Sequence, residues 1–173
     1  ARGDGAEIAV TSDPTELLGD VVGRFRREGA EIALETGRLP ARMPMKPIAF
    51  GRCLGNLIAN AVRYGSKVQV GAVHDNGFLH IDVDDDGPGI PVSERARVVQ
   101  RGVRGSTANG PGSGLGLHTA ARAMAQQSGS LELTDRPGGG TSVILRFRPA
   151  DQPDVSAGAA RARPAAGAAR GWA

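Results

Sequence analysis

The sequence predicts an α+β fold, a two-layer sandwich in which a mixed, mostly antiparallel sheet carries about three helices on one face. Three observations support this class. Apolar residues recur with a period near 3.6 in three long stretches, and they alternate with polar residues in several short stretches. The pair Asn76-Gly77 lies between two of the alternating stretches, and Asn-Gly is a strong signal for a hairpin turn. Helices and strands mixed in this way are typical of a sheet covered by helices.

Three stretches are predicted to be helices. The first begins after Ser12 or Asp13, either of which suits a helix N-cap, and has Pro14 in its first turn. The second covers residues 47–63 and the third covers residues 114–127. The predicted strands are residues 31–36, 67–73, 78–83, 131–134 and 141–148, of which the last two form a closing antiparallel pair.

Residues 86–113 are predicted to be a long loop, because they contain six Gly and three Pro and show no apolar period. Loops beyond ~12–15 residues in compact domains usually have a function or are disordered. Four arginines between Arg95 and Arg104 are opposed only by Glu94, which indicates either a solvated loop or a site for an anion such as phosphate. No aromatic residues interleave with these arginines to stack on bases, so a nucleic-acid partner is not predicted.

The 173 residues suit one domain of ordinary size. We predict that residues 1–11 are a linker or the end of an upstream domain and that residues 12–148 form the domain. Residues 149–173 are rich in Ala, Gly, Pro and Arg and are predicted to be a disordered tail. The single Cys53 cannot form an internal disulfide and is assigned to packing. No apolar run approaches the ~18 residues that a membrane-spanning helix requires.

Asn56 and Asn60 are four residues apart in the second predicted helix, so they share one face about a turn apart. Asn is a mediocre helix former, so two of them beside a Leu/Ile stripe indicate that their polar side chains have a function. A carboxamide oxygen is a hard ligand that suits Mg²⁺, which also binds substrate phosphates. The alternative is that both residues only flank a core helix.

Three consecutive carboxylates, Asp84 to Asp86, follow a predicted strand and precede Gly87 and Gly89. The carboxylates repel one another, so at least one of them should have a partner. The two glycines let the backbone approach a ligand closely. A carboxylate fixed there can accept a hydrogen bond from an exocyclic amine such as that of adenine. An acidic turn is the alternative, and the EF-hand spacing that calcium requires is absent.

A glycine-rich stretch with Gly112, Gly114 and Gly116 opens the third predicted helix, and Leu117 follows it. Exposed N–H groups at the positive end of a helix suit phosphate. The pattern is G-x-G-x-G, which is neither a Walker P-loop nor the dinucleotide pattern G-x-G-x-x-G. Such a stretch can also be a simple glycine-rich turn.

The order of these elements resembles the ATP-binding domain of sensor histidine kinases over roughly residues 12–148. The elements are N-x-x-x-N on a helix, D-x-G-x-G, an Arg-containing lid, and G-x-G-x-G-L opening a helix. Gyrase, heat-shock chaperone and MutL-type ATPases belong to the same superfamily. The stretches NLIANAVRYG and VDDDGPGIP look most similar to the osmosensor EnvZ type. The resemblance implies a Bergerat-type fold in which residues 86–113 contain an ATP lid.

The resemblance also implies roles at the phosphate end of the site. Asn60 is expected to coordinate Mg²⁺, with Asn56 beside it and Arg63 near the phosphates. Arg104 is expected to reach the γ-phosphate from the lid. The backbone N–H groups of the glycine-rich stretch are expected to hold the phosphates, through Gly112, Gly114, Gly116 and the adjoining Leu117. Phosphoryl transfer requires mainly positioning and charge neutralisation, which agrees with these parts.

At the base end of the site, the resemblance implies that Asp85 accepts a hydrogen bond from the adenine amine. Gly87 and Gly89 are expected to shape the pocket floor. Tyr64 is expected to lie against the adenine or ribose, and Thr141 is expected to close the adenine side. The cofactors implied are therefore ATP and Mg²⁺.

The lid departs from the family pattern, because residues 98–105 contain no Phe where the family usually carries several that pack the lid. A second departure concerns the phosphoacceptor. His74, His80 and His118 lack the setting of the family's acceptor helix, so that domain is expected to precede this chain.

The function predicted is therefore the catalytic domain of a two-component sensor histidine kinase. It would bind Mg·ATP and pass the γ-phosphoryl group to a histidine of a separate dimerisation domain. That histidine would then phosphorylate a response regulator. The domain is predicted to be cytoplasmic, with a parent protein in the inner membrane. The alternatives are a Ser/Thr kinase of the anti-sigma type on the same fold and a catalytically weak nucleotide-sensing module.

Overall fold

The computed structural model describes residues 7–106 and 114–148 of the chain, and within them it contains seven strands and four helices. The predicted tail at residues 149–173 lies outside the described residues, as does Gly112. In chain order, the elements are β1 (Val10–Ser12), α1 (Pro14–Arg27), β2 (Ile32–Thr36), β3 (Met43–Met45), α2 (Pro47–Tyr64), β4 (Val68–Asp75), β5 (Phe78–Asp85), α3 (Val92–Val98), α4 (Gly116–Ala125), β6 (Ser130–Asp135) and β7 (Thr141–Phe147).

The main sheet has five strands in the order β2-β4-β5-β7-β6. Only the β2–β4 pair is parallel, and the other three pairs are antiparallel. This arrangement confirms the predicted mixed, mostly antiparallel sheet. The β4–β5 hairpin turns at Asn76 and Gly77, whose φ angles of 49° and 77° fit a type I′ turn. The turn predicted from the Asn-Gly pair is therefore confirmed.

Helix α1 begins as the sequence predicts, with Asp13 as its N-cap. The Asp13 carboxylate accepts hydrogen bonds from the backbone N–H of Thr15, at 2.8 Å, and of Glu16, at 3.3 Å. Pro14 occupies the first turn, where its missing N–H leaves no helical hydrogen bond unmade. Of the two predicted candidates, Ser12 belongs to β1 instead.

The core lies between the helices and one face of the main sheet. Along β5 the buried residues alternate with partly exposed ones, so Leu79, Ile81 and Val83 face the helices. Helix α2 contributes the residues that pack opposite this face, including the fully buried Leu54 and Ile58. This packing fixes the rotation of α2 about its axis, and therefore fixes which of its side chains face away from the core.

Two predictions about local structure were wrong. The stretch 86–113, which is predicted to be a loop, contains the helix α3. Its seven residues bury only Val98, which is too little to produce a helical apolar period. The two-stranded sheet of β1 and β3 was also missed, because each strand has three residues and β3 contains Pro44. The domain start at residue 12 stays a prediction, although β1 begins at Val10.

Candidate active site

A cavity of about 350 Å³ opens between the C-terminal half of α2, the end of β5, α3 with the chain that follows it, and the start of α4. Most of the residues singled out from the sequence line it. They are Asn56, Asn60, Arg63, Tyr64, Asp85, Gly89, Arg104, Gly114, Gly116, Leu117 and Thr141. The structure therefore brings together residues from five separate segments of the chain, the fifth being β7, which carries Thr141.

The last three turns of α2 supply one wall of the cavity. Asn56, Asn60, Arg63 and Tyr64 line it, while the opposite face of the helix packs in the core. A Cβ added at Gly116 would lie 2.8 Å from Nδ2 of Asn60, so a side chain there would displace the Asn60 carboxamide. This contact places the Asn60 carboxamide directly against the N-terminus of α4, whose partial positive charge favours an anion.

Asp85 also lines the cavity and is buried, with only 7% of its surface exposed. Its Oδ1 accepts a hydrogen bond from the backbone N–H of Gly87 at 2.9 Å. Burial is the main cause that raises the pKa of the Asp85 carboxyl group, and the backbone hydrogen bonds from Gly87 and Thr141 oppose the rise. A buried carboxylate is stabilised when a ligand donates a hydrogen bond to it, because an unsatisfied buried acceptor costs free energy.

Two glycines hold the backbone around Asp85. Gly87 does not line the cavity but lies behind it, where an added Cβ would come 2.6 Å from the carbonyl oxygen of Tyr64. Gly140 has a φ of +100°, and an added Cβ would overlap the carbonyl oxygen of Asp85. Both positions therefore exclude any side chain. Only glycine allows the backbone to pass this close to Tyr64 and to Asp85.

The neighbouring Asp86 forms its hydrogen bonds with the turn after α2. Its Oδ1 accepts hydrogen bonds from the backbone N–H groups of Ser66, at 2.6 Å, and Lys67, at 2.9 Å. The hydrogen bond from Lys67 is the main cause that lowers the pKa of the Asp86 carboxyl group. Asp86 thus joins the turn after α2 to the end of β5, and the expectation that one of the three carboxylates has a partner is confirmed.

The base of the lid consists of α3 and residues 99–106, and several contacts attach it to the domain. Arg95 donates hydrogen bonds to the carbonyl oxygen of Ile90, at 3.1 Å, and to the carboxylate of Asp135, at 2.5 Å. His118 of α4 donates its Nδ1–H to the carbonyl oxygen of Val99 at 3.2 Å. Val98 inserts into the core and is 4% exposed. These contacts hold a lid base that contains no Phe.

The two ends of the lid approach each other through backbone. Gly114 has a φ of +67°, and an added Cβ would lie 2.7 Å from the carbonyl oxygen of Val103. Only glycine permits this approach, because a side chain would overlap the opposite end. Because Gly114 has no side chain, its backbone can lie against Val103, the residue that precedes Arg104.

Apolar side chains also line the cavity, and they were not predicted from the sequence. Val83, Ile90, Val103 and Val143 line the cavity. Alternation along β5 could have identified Val83, because it lies two residues before Asp85 and shares its face. Val143 pairs with Val83 across β5 and β7, which only the strand register reveals. Such walls suit a flat, largely apolar ring.

The lining of the cavity is therefore chemically mixed. It combines a buried hydrogen-bond acceptor, Asp85, and apolar side chains with two carboxamides, two arginines and the N-terminus of a helix. Such an arrangement suits a ligand that has an amine-bearing ring at one end and a polyanion at the other. Cys53 is not part of this chemistry, because it is buried beside α4 and burial raises the pKa of its thiol to about 12.

Metal binding in the cavity depends on Asn60 and its neighbours. Within residues 7–106 and 114–148, no group of three His, Cys, Asp or Glu side chains could hold a metal ion. The amide oxygen of Asn60 is a hard ligand, and Mg²⁺ commonly takes one or two protein ligands and fills its other positions with water and substrate phosphates. The residues of the cavity therefore fit a Mg²⁺ ion that a polyphosphate brings with it.

Comparisons with known proteins agree with this geometry. Residues 45–151 match the family described as histidine kinase-, DNA gyrase B- and HSP90-like ATPase. The two-component sensor PhoQ of Pseudomonas aeruginosa is 36% identical over 134 residues, which are 76% of this chain and 30% of PhoQ. The sensor-type histidine kinase PrrB of Mycobacterium leprae is 36% identical over 141 residues, which are 80% of this chain and 32% of PrrB. The chain thus spans about a third of the length of the curated relatives it matches.

Two solved structures have similar folds. The mycobacterial sensor histidine kinase MprB superposes with a TM-score of 0.71 at 28% identity, and the match covers 81% of this chain and 99% of that one. Full-length ShkA in complex with AMPPNP superposes with a TM-score of 0.71 at 26% identity, and the match covers 82% of this chain and 32% of ShkA.

Within the described residues, no helix is both long and apolar enough to cross a membrane.

Proposed function

This chain belongs to the family of histidine kinase-, DNA gyrase B- and HSP90-like ATPases, and we propose that it is the part of a sensor histidine kinase that binds Mg·ATP and transfers the γ-phosphoryl group. The observation that carries the proposal is the lining of one cavity, which brings the buried Asp85 together with Asn56, Asn60 and Arg104. The sensor kinases among its relatives support this function over the Ser/Thr kinase alternative.

At the base end, Asp85 accepts a hydrogen bond from the exocyclic amine of adenine. Val83 and Val143 pack against the ring, and Tyr64 lies against the adenine or ribose. The carboxylate distinguishes adenine from guanine, because guanine presents a carbonyl oxygen at the corresponding position and would leave a buried acceptor facing another acceptor. Thr141, next to Asp85 across the sheet, closes this side of the pocket.

At the phosphate end, the backbone N–H groups at the start of α4 face the polyphosphate, and Arg63 and Arg104 neutralise its charge. Asn60 holds Mg²⁺ through its amide oxygen, and Asn56 lies one turn away near the phosphates. The bound ion would neutralise charge on the phosphate oxygens. Gly112 and Leu117 remain assigned to this end as well. The domain therefore acts by positioning the γ-phosphoryl group and stabilising its charge rather than by covalent chemistry.

The acceptor is a histidine on a dimerisation domain of the same kinase, and its phosphoryl group passes on to the receiver domain of a response regulator. The names of the sensor-kinase relatives support both partners. The parent protein lies in the inner membrane and holds this domain on the cytoplasmic side. His118, which follows the cavity residue Leu117, is not assigned as the acceptor, because it is engaged with the lid base.

Incubation of the domain with γ-labelled ATP and a supplied histidine-containing acceptor domain tests this function. The proposal predicts acid-labile, base-stable phosphate on the acceptor and none when its histidine is replaced by Gln. Acid-stable phosphoserine on a partner protein would identify an anti-sigma type of kinase. ATP binding without any transfer would identify a nucleotide-sensing module. Either of these two results contradicts the proposed transfer.

A further inference from the structure

The segment of the lid base that contains Arg104 lies directly on α3. The backbone N–H of Ser106 donates a hydrogen bond of 2.7 Å to Oε2 of Glu94, in α3. A Cβ added at Gly105 would lie 3.2 Å from the same Oε2 and 3.4 Å from Cγ1 of Val98. The hydrogen bond holds the backbone at Ser106 on α3, and the distances at Gly105 show that the chain passes close to Glu94 and Val98 there. Arg104 is the residue that precedes Gly105.

Helix α3 is itself fixed relative to the base end of the cavity. Val98 anchors it in the core, and Arg95 connects it to Asp135 at the end of β6. Asp135 is paired with Thr141, and Thr141 is paired with Asp85. The backbone that carries Arg104 is therefore attached, through Glu94 and α3, to the strands that carry the base-binding residues.

We propose that Glu94 is a positioning residue that holds Arg104 at the cavity to face the terminal phosphate of a nucleoside triphosphate. This inference rests on the proposed function and gives Glu94 no contact with the nucleotide. Hydrogen bonds from Ser106 lower the pKa of the Glu94 carboxyl group, so the group is ionised at neutral pH. The neutral amide oxygen of a glutamine can accept the same hydrogen bond from Ser106, whereas alanine cannot accept it.

Calorimetric titrations with ATP and with ADP, both with Mg²⁺, test the proposal, because a residue that faces the terminal phosphate affects ATP alone. We expect Arg104→Ala to weaken ATP binding about tenfold, since it removes a charge-assisted contact, and to leave ADP binding unchanged. Glu94→Ala is expected to reproduce most of this selective loss. Glu94→Gln is expected to remain within about twofold of the unaltered protein for both nucleotides, as is the matched control Glu132→Ala, an exposed residue of β6.

The double variant Glu94→Ala/Arg104→Ala gives the sharpest result. If Glu94 acts only through Arg104, the double variant binds ATP as weakly as Arg104→Ala alone, because nothing remains to be positioned. Additive losses in the double variant overturn the proposal. An unchanged preference for ATP over ADP in Glu94→Ala, or an equal loss in Glu94→Gln, also overturns it.

Hydrogen exchange at the amide of Ser106 separates the failure of this proposal from the failure of the proposed function. The amide is expected to be protected in the unaltered protein and in Glu94→Gln and to exchange faster in Glu94→Ala. If Glu94→Ala fails to fold, Ser106→Pro removes the N–H donor from the other side and is expected to give the same selective loss of ATP affinity.

An unaltered protein that binds neither nucleotide overturns the proposed function together with this inference. An unaltered protein that prefers ATP while Ser106 exchanges freely overturns this inference alone.

Discussion

Gly140 is the residue at which a single added carbon has the largest expected effect. Its Cβ would overlap the carbonyl oxygen of Asp85, whereas Gly139 has the same φ of +100° and has nothing within 4 Å of an added Cβ. We expect Gly139→Ala to cost about 1–3 kcal/mol of unfolding free energy from backbone strain alone. Gly140→Ala is expected to cost at least about 2 kcal/mol more and to weaken ATP binding, because it displaces Asp85. Urea unfolding compares the two, and equal losses would show that the overlap relaxes without cost.

Asp82 gives a second prediction at this scale, one that depends on pH. Burial and the neighbouring Asp84 raise the pKa of its carboxyl group from the ordinary value of 3.8 to about 6. The folded state thus holds the proton more tightly than the unfolded state, so the ionised carboxylate costs stability as the pH rises through this range, and the full cost is present at pH 7. Asp82→Asn is expected to stabilise the domain by on the order of 2 kcal/mol at pH 7.

The gain from Asp82→Asn is expected to shrink toward zero at pH 4, where the native carboxyl group is already protonated. Urea unfolding at pH 4 and pH 7 measures both values. Asp20→Asn, at an exposed position of α1, serves as the control and is expected to change the stability by less than about 0.5 kcal/mol at either pH. A gain from Asp82→Asn that is the same at both pH values would show that ionisation is not its cause.

At the scale of the elements, α2 combines a core face with a face that lines the cavity, and the two can be tested separately. Asn60→Ala removes the amide oxygen assigned to Mg²⁺ and leaves the core face intact. We expect it to abolish the Mg²⁺-dependent part of the affinity for ATP, a loss of about tenfold or more, with little change in the melting temperature. Calorimetry with and without Mg²⁺ measures this loss, and Arg52→Ala, on the exposed side of the same helix, is the control. Affinity that keeps its dependence on Mg²⁺ in Asn60→Ala would remove Asn60 as the metal ligand.

Elements with a clear apolar pattern could be predicted from the sequence, and the helix with one buried residue and the three-residue strands could not. Helix α2 was predicted to within one residue of its observed end, because its apolar stripe persists through five turns. Helix α3 was missed because a single buried residue, Val98, makes no pattern. Strands β1 and β3 were missed because their pairing depends on two segments that are about thirty residues apart. Local patterns do not contain such information.

The same limit applies to the site. Asn56, Asn60 and Asp85 could be identified from residue type and spacing, since each lies in a compact motif. The apolar walls could not, because Val83 and Val143 become neighbours only through the register of β5 and β7. The attachment of the lid base through Glu94 and His118 also depends on contacts between distant segments. The sequence thus predicted the polar groups of the cavity and left the shape that holds them to the structure.

At the scale of the whole molecule, the order of motifs along the chain carries the identification. The resemblance to sensor histidine kinases is confirmed by the family match over residues 45–151 and by the sensor kinases among the relatives. Each motif taken alone has an ordinary structural explanation. The fold brings Asn60 from α2, Asp85 from β5 and Gly116 from α4 to one cavity, which those separate explanations do not account for.

The central claim is that this cavity binds ATP with Asp85 as the acceptor for the adenine amine. Calorimetric titration of ATP and GTP into the unaltered domain and into Asp85→Asn tests it most directly. The account predicts that the unaltered domain binds ATP much more tightly than GTP and that Asp85→Asn weakens ATP binding at least about tenfold while the domain stays folded. Equal affinities for ATP and GTP, or unchanged ATP binding by a folded Asp85→Asn domain, would contradict it.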